Sequence, residues 1–432
     1  MTRLAFLARC GLVVLAPALL HCLNDDRTRG DAGPIADGSA LDARTPDGGS
    51  ADGSTGDGWS LDISPQADTY EISMERHGAG FLVVERASTP VAFHKVSDSG
   101  TLQWSWSPEN GDVRHYRHAD SGDLVLSLSL DLSGSQGNVI LFKSVSGADG
   151  SESWSTRHDF TLGWCRGVCA VEANNREYIS GFVVSEDTIF YSGRYTADPR
   201  HLFGQLDLAT GTNDPTETSD RANYYRALLD LPGPGFVGIY QAGTARERRI
   251  LSPTWAVDAT SPTAREDEHV EHPTGLVSYL AAAGQLELID ETGAVQSMVS
   301  WTPPGADFEY LSAIGDSLVL SFDDAGMTGL AAASISSGAE AWRTSFSNGA
   351  TFDIADSSIA IADPTSDGFV TWWLSRSDGT ETARHEEVAD ICELGASPVV
   401  SVSVVQLAEQ TVVAHCALAG DTRVIRVRPL AL

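Results

Sequence analysis

Lys95-Val96-Ser97-Asp98-Ser99-Gly100-Thr101-Leu102-Gln103-Trp104 is the stretch that decides the fold. A polar turn ends on a glycine, and a tryptophan follows four residues later in a run that alternates between polar and apolar side chains. The same pairing of glycine and tryptophan returns as Gly150 with Trp154 and as Gly338 with Trp342. A short unit that recurs at intervals of tens of residues predicts a repeat architecture.

Weaker copies of this unit keep the turn and lose the tryptophan. They lie at 207–211, 290–293, 377–379 and 419–421. The long interval between Gly211 and Gly293 predicts one more degenerate copy near Trp255. The chain then contains eight units of about 40 to 60 residues.

Between the turns, short apolar runs with period-two alternation indicate strands, and no stretch of comparable length has helical periodicity. In the second unit the pattern predicts strands near 113–118, 123–130, 138–145 and 152–157. Four strands in a unit of this size fit one blade of a β-propeller, because stacked blades bury faces that a single sheet leaves exposed. We therefore predict an all-β propeller over residues 70–432, with seven to eight blades, most simply eight, and with the tryptophans between neighbouring blades.

This repeat, together with Glu177-Tyr178-Ile179-Ser180-Gly181-Phe182, resembles the β-propeller repeats of exported bacterial proteins. It is also similar to WD40-like and quinoprotein-type blades. The resemblance is loose over residues 70–432 and specific in three units. It implies a fold without an activity, since propellers serve as binding modules, scaffolds and enzymes. Quinoprotein dehydrogenases carry a disulfide between adjacent cysteines near their cofactor, and this sequence has no such pair, so we expect no cofactor.

The N-terminus has the features of an export signal. Arg3 and Arg9 precede an apolar stretch of residues 10–20, which is too short to span a bilayer as a helix. Leu19-Leu20-His21-Cys22 resembles a bacterial lipobox, in which the cysteine is acylated, although His21 stands where a small residue is usual. The alternative is ordinary secretion after Ala16-Pro17-Ala18. We favour a signal peptide over 1–22 with lipidation at Cys22, and hence a lipid-anchored cell-envelope protein.

Residues 23–69 read as a disordered acidic linker. Asp, Gly, Ser, Ala and Pro dominate 24–60, and almost no side chain there can be buried to offset the entropy of ordering. Aspartates recur at every fifth position from Asp37 to Asp62. Calcium loops need carboxylates at alternating positions, so this spacing indicates a solvated tether and we expect no metal site.

The body contains four cysteines: Cys165, Cys169, Cys392 and Cys416. An even number in an exported protein predicts two disulfides. Four cysteines allow three pairings, which the sequence leaves open, and we favour the two local pairs. The spacing of Cys165 and Cys169 differs from the two-residue spacing of redox enzymes and zinc ribbons.

The net charge of −31 limits the classes of partner. The acidic residues run through the whole body, so its surface repels phosphate backbones and anionic lipids. We expect no nucleic acid, contact with a membrane only through a lipid anchor, a monomeric state, and a protein or carbohydrate ligand at one propeller face.

Three patterns are candidates for chemistry. Gly315-Asp316-Ser317-Leu318 matches the signature of a serine esterase family, but the downstream D-x-x-H of that family is missing, so a turn is the better interpretation. His269 and His272 lie three residues apart, which on a strand places them on opposite faces. Arg114, His115, Arg117 and His118 form a basic cluster that would line the central channel and hold an anion if it lay on an inner strand.

No pattern identifies catalytic residues, so two function classes remain. The leading hypothesis is an envelope lipoprotein whose propeller is a binding or scaffold module. The alternative is an exported hydrolase or lyase with its active site in the axial pocket.

Overall fold

The protein is described from a computed structural model. The described residues are 59–66, 69, 71–87, 89–109, 111–131, 138–158, 177–195, 201–218, 223–231, 235–242, 245–263, 269–280, 283–302, 308–324, 327–347, 349–365, 368–388 and 402–430. They belong to one structural unit, residues 49–432. The predicted signal peptide, Cys22 and most of the predicted linker lie outside these ranges.

The described chain is built of β-strands, which we number in chain order. The short strand β1 (Leu61–Ile63) comes first. Blade 1 contains β2 (Glu71–Arg76), β3 (Phe81–Arg86), β4 (Pro90–Val96) and β5 (Leu102–Trp106). Blade 2 contains β6 (Asp112–His118), β7 (Leu124–Asp131), β8 (Asn138–Val145) and β9 (Glu152–His158). Blade 3 contains β10 (Glu177–Ser185), β11 (Thr188–Tyr195), β12 (His201–Asp207) and β13 (Asn213–Thr218). Blade 4 contains β14 (Asn223–Asp230), β15 (Phe236–Ala242), β16 (Ala245–Leu251) and β17 (Val257–Thr263).

The second half of the chain continues in the same way. Blade 5 contains β18 (His269–His272), β19 (Gly275–Leu280), β20 (Gln285–Asp290) and β21 (Val295–Ser300). Blade 6 contains β22 (Phe308–Ile314), β23 (Ser317–Asp324), β24 (Met327–Ser334) and β25 (Glu340–Phe346). Blade 7 contains β26 (Thr351–Ile354), β27 (Ser358–Thr365), β28 (Gly368–Ser375) and β29 (Glu381–Val388). Blade 8 contains β30 (Val402–Gln406), β31 (Thr411–Ala419) and β32 (Thr422–Leu430).

These strands form eight four-stranded antiparallel sheets in a propeller, which confirms the predicted fold class. Every end of the four strands predicted for the second unit lies within one residue of the corresponding end of β6 to β9. The first strands of neighbouring sheets contact one another, as β10 does with β6 and β14, and therefore surround the axis. Within the described ranges, no helix has the length and hydropathy needed to cross a membrane.

Blade 8 is completed by the N-terminal strand. β1 pairs antiparallel with β32, and Arg426 forms two hydrogen bonds to Asp62, of 2.8 and 2.9 Å. The propeller sheet thus begins before Tyr70, where the sequence predicted the domain to start. A strand of three residues is too short to show an alternation pattern, and its partner lies at the other end of the chain.

The core consists of apolar clusters between the blades. Among the described residues there are eight such clusters, and each joins two neighbouring sheets. One cluster closes the ring, since it packs Ile72 and Phe81 of blade 1 against Val412 and Ile425 of blade 8, together with Ile63 of β1. Burial of both faces of every blade is the physical reason that the repeats form a ring.

The repeat tryptophans lie between blades, as predicted. Trp104 on β5 donates from Nε1 to the carbonyl oxygen of Gly147 in the next blade, at 3.1 Å. The equivalent bonds join Trp154 to Leu208 at 2.7 Å and Trp342 to Arg376 at 2.8 Å. Each indole packs on the turn that joins the third and fourth strands of the following blade.

Two of the weaker repeat copies had different outcomes: one was confirmed and the other was misplaced. The predicted copy near Trp255 is real: the turn between β16 and β17 carries Trp255 at φ 62°, the left-handed conformation that glycine adopts in the other turns. The proposed copy at Gly420 was wrong in position, because Gly420 joins β31 to β32, the second and third strands of its blade. The last blade takes its fourth strand from the N-terminus, so no glycine turn precedes that strand.

Candidate functional site

The inner strands end together on one face of the propeller. Every sheet is antiparallel, so the hairpins that follow the first strands all lie on this face. We call the ring of strand ends there the mouth and define it by Glu75, His77, His118, Asp230 and Glu271. These residues come from blades 1, 2, 4 and 5 and lie at or near the ends of β2, β6, β14 and β18.

Described residues of the mouth line two cavities. The larger, of about 520 Å³, is lined by ends of blades 4, 5 and 6, including Glu271, His272 and Ser312. The smaller, of about 270 Å³, is lined by blades 2, 3 and 4, including His118 and Glu186. Asp230 lines both cavities, so it borders a ligand in either one.

Asp230 and Glu271 form a pair of crowded carboxyl groups. The backbone N–H of Asp230 donates to Oε1 of Glu271 at 3.3 Å. Burial, reinforced by the negative charge of Glu271, raises the pKa of Asp230 to about 6. Burial likewise raises the pKa of Glu271, against the opposing effect of Arg117. Both carboxylates therefore gain from a nearby cation more than a solvated carboxylate does.

A second cluster of titratable side chains, formed by Glu75, His77 and His118, lies across blades 1 and 2. Nδ1 of His77 and Nδ1 of His118 are 2.7 Å apart, so one of the two nitrogens carries the shared hydrogen. Nε2 of His118 lies 3.3 Å from Glu75. Burial, followed by the charges of Lys95 and His118, lowers the pKa of His77 to about 4. Burial alone would raise the pKa of Glu75, but the hydrogen bond and charge of His118 outweigh it and hold that pKa low.

The predicted basic cluster lies on β6, which is an inner strand. Its members do not present a free positive surface. Arg114 is 3.2 Å from Asp112, and Arg117 donates to the backbone oxygen of Tyr116 at 3.0 Å and lies in the field of Asp230 and Glu271. His118 meets Glu75, while His115 is half-buried. The sequence showed that this strand is basic but not that carboxylates from other blades surround it.

The other predicted residues have structural roles or lie outside the described chain. His272 is buried and within hydrogen-bond distance of Thr274 Oγ1 at 2.9 Å and of the backbone oxygen of Gly315 at 3.0 Å, which ties blade 5 to blade 6. His269 is buried on the same strand. In the part of the chain that the structure describes, no three His, Cys, Asp or Glu side chains are placed to hold a metal ion.

The esterase-like tetrapeptide is a hairpin between β22 and β23. Asp316 accepts hydrogen bonds from Ser334 Oγ at 2.7 Å and from the backbone N–H of Ser336 at 2.6 Å. Ser317 is the first residue of β23 and accepts from Arg376 Nε at 3.4 Å. Both polar side chains therefore form hydrogen bonds to neighbouring turns, which agrees with the interpretation of this tetrapeptide as a turn.

Of the cysteines, Cys416 is fully buried on β31. Cys165, Cys169 and Cys392 fall outside the described residues, so the two disulfides stay a prediction.

Sequence reasoning missed Glu75, His77, Asp230 and Glu271. Glu75 and His77 belong to one repeat, and Asp230 and Glu271 belong to two others. The four share only a place at or near the end of the first strand of a blade. Alignment of the repeats on their turn glycines, followed by a search for charged residues before each first hairpin, would have found them.

Comparisons with known proteins show a likeness of fold only. No family model matches the chain, and no curated protein matches it. Among solved structures, a dihydro-heme d1 dehydrogenase matches at 11% identity and a TM-score of 0.48, covering 75% of this chain and 72% of that one. A prolyl endopeptidase matches at 11% identity and 0.48, covering 81% of this chain and 54% of that one. A streptogramin B lyase matches at 11% identity and 0.38, covering 86% and 98%. At these values the matches carry no argument about function.

Proposed function

We propose that this chain is a binding module of the cell envelope, and that its ligand is a protein that presents a basic side chain to the mouth. The observation that carries this proposal is Asp230. This residue lines both cavities, and the pKa of its carboxyl group is raised to about 6 by burial and by Glu271. A guanidinium or ammonium group placed there adds positive charge beside this pair of carboxyl groups, whose pKa values stay raised despite the nearby Arg117.

The charge of the whole chain supports the same class of partner. A net charge of −31 steers basic partners toward the surface and speeds their encounter. It disfavours nucleic acids and anionic lipid surfaces. A carbohydrate ligand, which binds through hydrogen bonds to hydroxyl groups, needs no such charge.

A tethered location agrees with this role. An acylated Cys22 followed by a polar linker would hold the propeller at the envelope surface and let it reach partners nearby. Cleavage after Ala18 would instead release a secreted propeller with the same mouth.

One observation favours a second candidate, an exported hydrolase or lyase. A carboxyl group with a pKa of about 6 exchanges its proton near neutral pH, and a second carboxyl group lies beside it in a cavity of about 520 Å³. In that function Asp230 would act as the acid or base.

Calorimetric titration with two probes tests the binding proposal. We expect a hexa-arginine peptide to bind the full chain more tightly at pH 7.5 than at pH 5, because Asp230 loses its charge below its pKa of about 6. Asp230→Asn should weaken binding at least fivefold at pH 7.5. Asp258→Asn, which makes the same change in charge at an exposed site on the outer strand of the same blade, should not.

Three outcomes would contradict the proposal. Equal effects of the two substitutions would show that the peptide senses only the net charge. Binding of a neutral oligosaccharide such as cellohexaose with no dependence on pH between 5 and 7.5 would favour the carbohydrate hypothesis. Turnover of an added ester or glycoside that Asp230→Asn abolishes would favour the enzyme.

A further inference from the structure

Three side chains on neighbouring strands of blade 1 form a line of hydrogen bonds. Ser105 Oγ on β5 lies 2.8 Å from Nδ1 of His94 on β4. Nε2 of the same imidazole lies 2.6 Å from Oε1 of Glu85 on β3. The two ring nitrogens thus face a hydroxyl group on one side and a carboxylate on the other. This is the order of nucleophile, base and orienting acid that serine hydrolases use on unrelated folds.

The exposure of the three residues fits those roles. Ser105 is exposed on the outermost strand of its sheet. His94 is 3% exposed and Glu85 is fully buried. Oε2 of Glu85 also accepts from the backbone N–H of Gln66 at 2.7 Å and from Thr69 Oγ1, so the carboxylate is held in place from a second side. A buried carboxylate with these partners fixes the orientation of the imidazole.

The repeat does not require this array. In blade 2 the cross-strand pair at the position of His94 and Ser105 is Lys143 and Ser155. The lysine there is 2.5 Å from Glu152, a neighbour on the outer strand. The blades therefore pack without a histidine at this position. The hydrogen bonds from Gln66 and Thr69 give the buried Glu85 a structural role, but the contact between His94 and Ser105 has no counterpart in blade 2.

We propose that Ser105, His94 and Glu85 form a hydrolytic site for small acyl esters, separate from the mouth. Oγ of Ser105 attacks the carbonyl carbon of the ester, and its proton passes to Nδ1 of His94. The bond between the carbonyl carbon and the alcohol oxygen then breaks, and His94 returns the proton to the departing alkoxide. Water repeats the sequence on the acyl-serine and releases the carboxylic acid, so no cofactor or oxidant is consumed.

The surroundings of Ser105 define the substrate class. It is exposed on the outer strand of its sheet and lines neither of the two cavities at the mouth, so a substrate would reach it from the outer surface of blade 1. β5 is the last strand of its sheet, so one edge of its backbone N–H groups faces away from β4. Such N–H groups are donors of the kind that stabilise an oxyanion. We therefore expect activated esters of short carboxylic acids to react.

A fluorophosphonate probe on the full chain tests this proposal. The reaction forms a bond between phosphorus and the serine oxygen and expels fluoride, while the proton moves to His94. We expect one equivalent of label, located on Ser105 by peptide mass mapping. Ser105→Ala should lower labelling and the hydrolysis of 4-nitrophenyl acetate at least tenfold. Ser155→Ala, the matched exposed serine of blade 2, should change neither.

A second variant tests whether His94 activates the side chain at position 105 or whether that side chain reacts only because it is exposed. It leaves the buried His94 and Glu85 unchanged. In Ser105→Cys the same imidazole should promote formation of the thiolate, so alkylation by iodoacetamide at pH 7 should be at least tenfold faster than in Ser155→Cys. No label on Ser105, labelling that persists in Ser105→Ala, or equal alkylation rates in the two cysteine variants would each overturn the proposal.

Discussion

Trp104 of blade 1 is hydrogen-bonded to Gly147 of blade 2 at 3.1 Å, and its ring packs on Gly150 of the same turn. A Cβ atom added to Gly150 would lie 2.8 Å from the indole. The tryptophan and the turn glycine that identify the repeat in the sequence therefore contact each other across blades. The tryptophan of one unit needs the glycine of the next.

This relationship makes Gly150 sensitive to substitution in a specific way. Gly150 has φ 73° and Gly122 has φ 85°, so alanine costs about 1 kcal/mol at either site through backbone strain alone. At Gly150 the new methyl group must also displace Trp104, whereas nothing lies within 4 Å of it at Gly122. We expect Gly150→Ala to lower the free energy of unfolding by about 2 to 4 kcal/mol and Gly122→Ala by about 1 kcal/mol, measured by urea denaturation. Equal losses of unfolding free energy in the two variants would contradict the conclusion that the Trp104 indole packs on Gly150.

The fold was predictable because its signal is local and repeated. The pattern around Gly100 and Trp104 predicted eight four-stranded blades, and the strands of blade 2 were placed almost to the residue. The closure was not predictable, because β1 pairs with β32 at the far end of the chain. The role of Trp59 was not predicted either. Its indole packs on Gly100 of blade 1, so it joins blade 8 to blade 1 in the way that the other tryptophans join neighbouring blades.

The N-terminal closure predicts how far the chain can be shortened. A variant that lacks residues 1–56 retains Trp59 and β1, and we expect it to be as stable as the full chain. A variant that lacks 1–69 loses Trp59 and β1, and with β1 the two hydrogen bonds between Asp62 and Arg426. It also leaves the buried Glu85 without its hydrogen bonds from Gln66 and Thr69. We expect it to lose more than about 5 kcal/mol, since an indole contact and the partners of a buried carboxylate disappear together.

Urea denaturation followed by circular dichroism measures both truncations. Full-chain Trp59→Ala should lie between them, with a loss of about 3 kcal/mol. A variant lacking 1–69 that unfolds at the same urea concentration as the full chain would show that β1 is dispensable for closure.

Two buried histidines predict that the protein is labile to acid. Burial lowers the pKa of His77 and of His415 to about 4, and neighbouring arginines add to the effect at His415. Unfolded histidine titrates near pH 6.5, so the unfolded chain binds more protons between these values. The stability due to each neutral imidazole is complete above pH 6.5 and is lost as the pH falls to 4, by at most about 3 kcal/mol per residue.

Substitution of one histidine isolates its share of this slope. In the described part of the chain, Nδ1 of His415 is buried without a hydrogen-bond partner, and glutamine in its place does not titrate. We expect the free energy of unfolding of His415→Gln to fall less between pH 6.5 and 4 than that of the wild type, by about 2 kcal/mol, whatever the difference at pH 7.5. Parallel pH curves for the two proteins would refute the assignment.

The candidate site was harder to predict than the fold, for a physical reason. Asp230 and Glu271 are 41 residues apart and become a pair only when blades 4 and 5 stand side by side. The basic strand β6 was recognised, but Arg117 acquires its acidic surroundings from other blades. The array of Glu85, His94 and Ser105 lies within 21 residues, yet no sequence motif marks it, because its spacing follows from sheet register.

Attachment to the membrane is predicted to depend on Cys22. If that cysteine is acylated, the protein should fractionate with membranes and partition into detergent, since each buried methylene of an acyl chain contributes about 0.8 kcal/mol. Cys22→Ala should lose both the lipid label and membrane fractionation. Cys10→Ala, within the apolar stretch of the same signal, is the matched control and should keep both. Under cleavage after Ala18, neither substitution changes the location and the mature chain begins at Leu19. A wild-type N-terminus sequenced as Leu19, without a lipid mass, would therefore replace the tethered propeller by a secreted one.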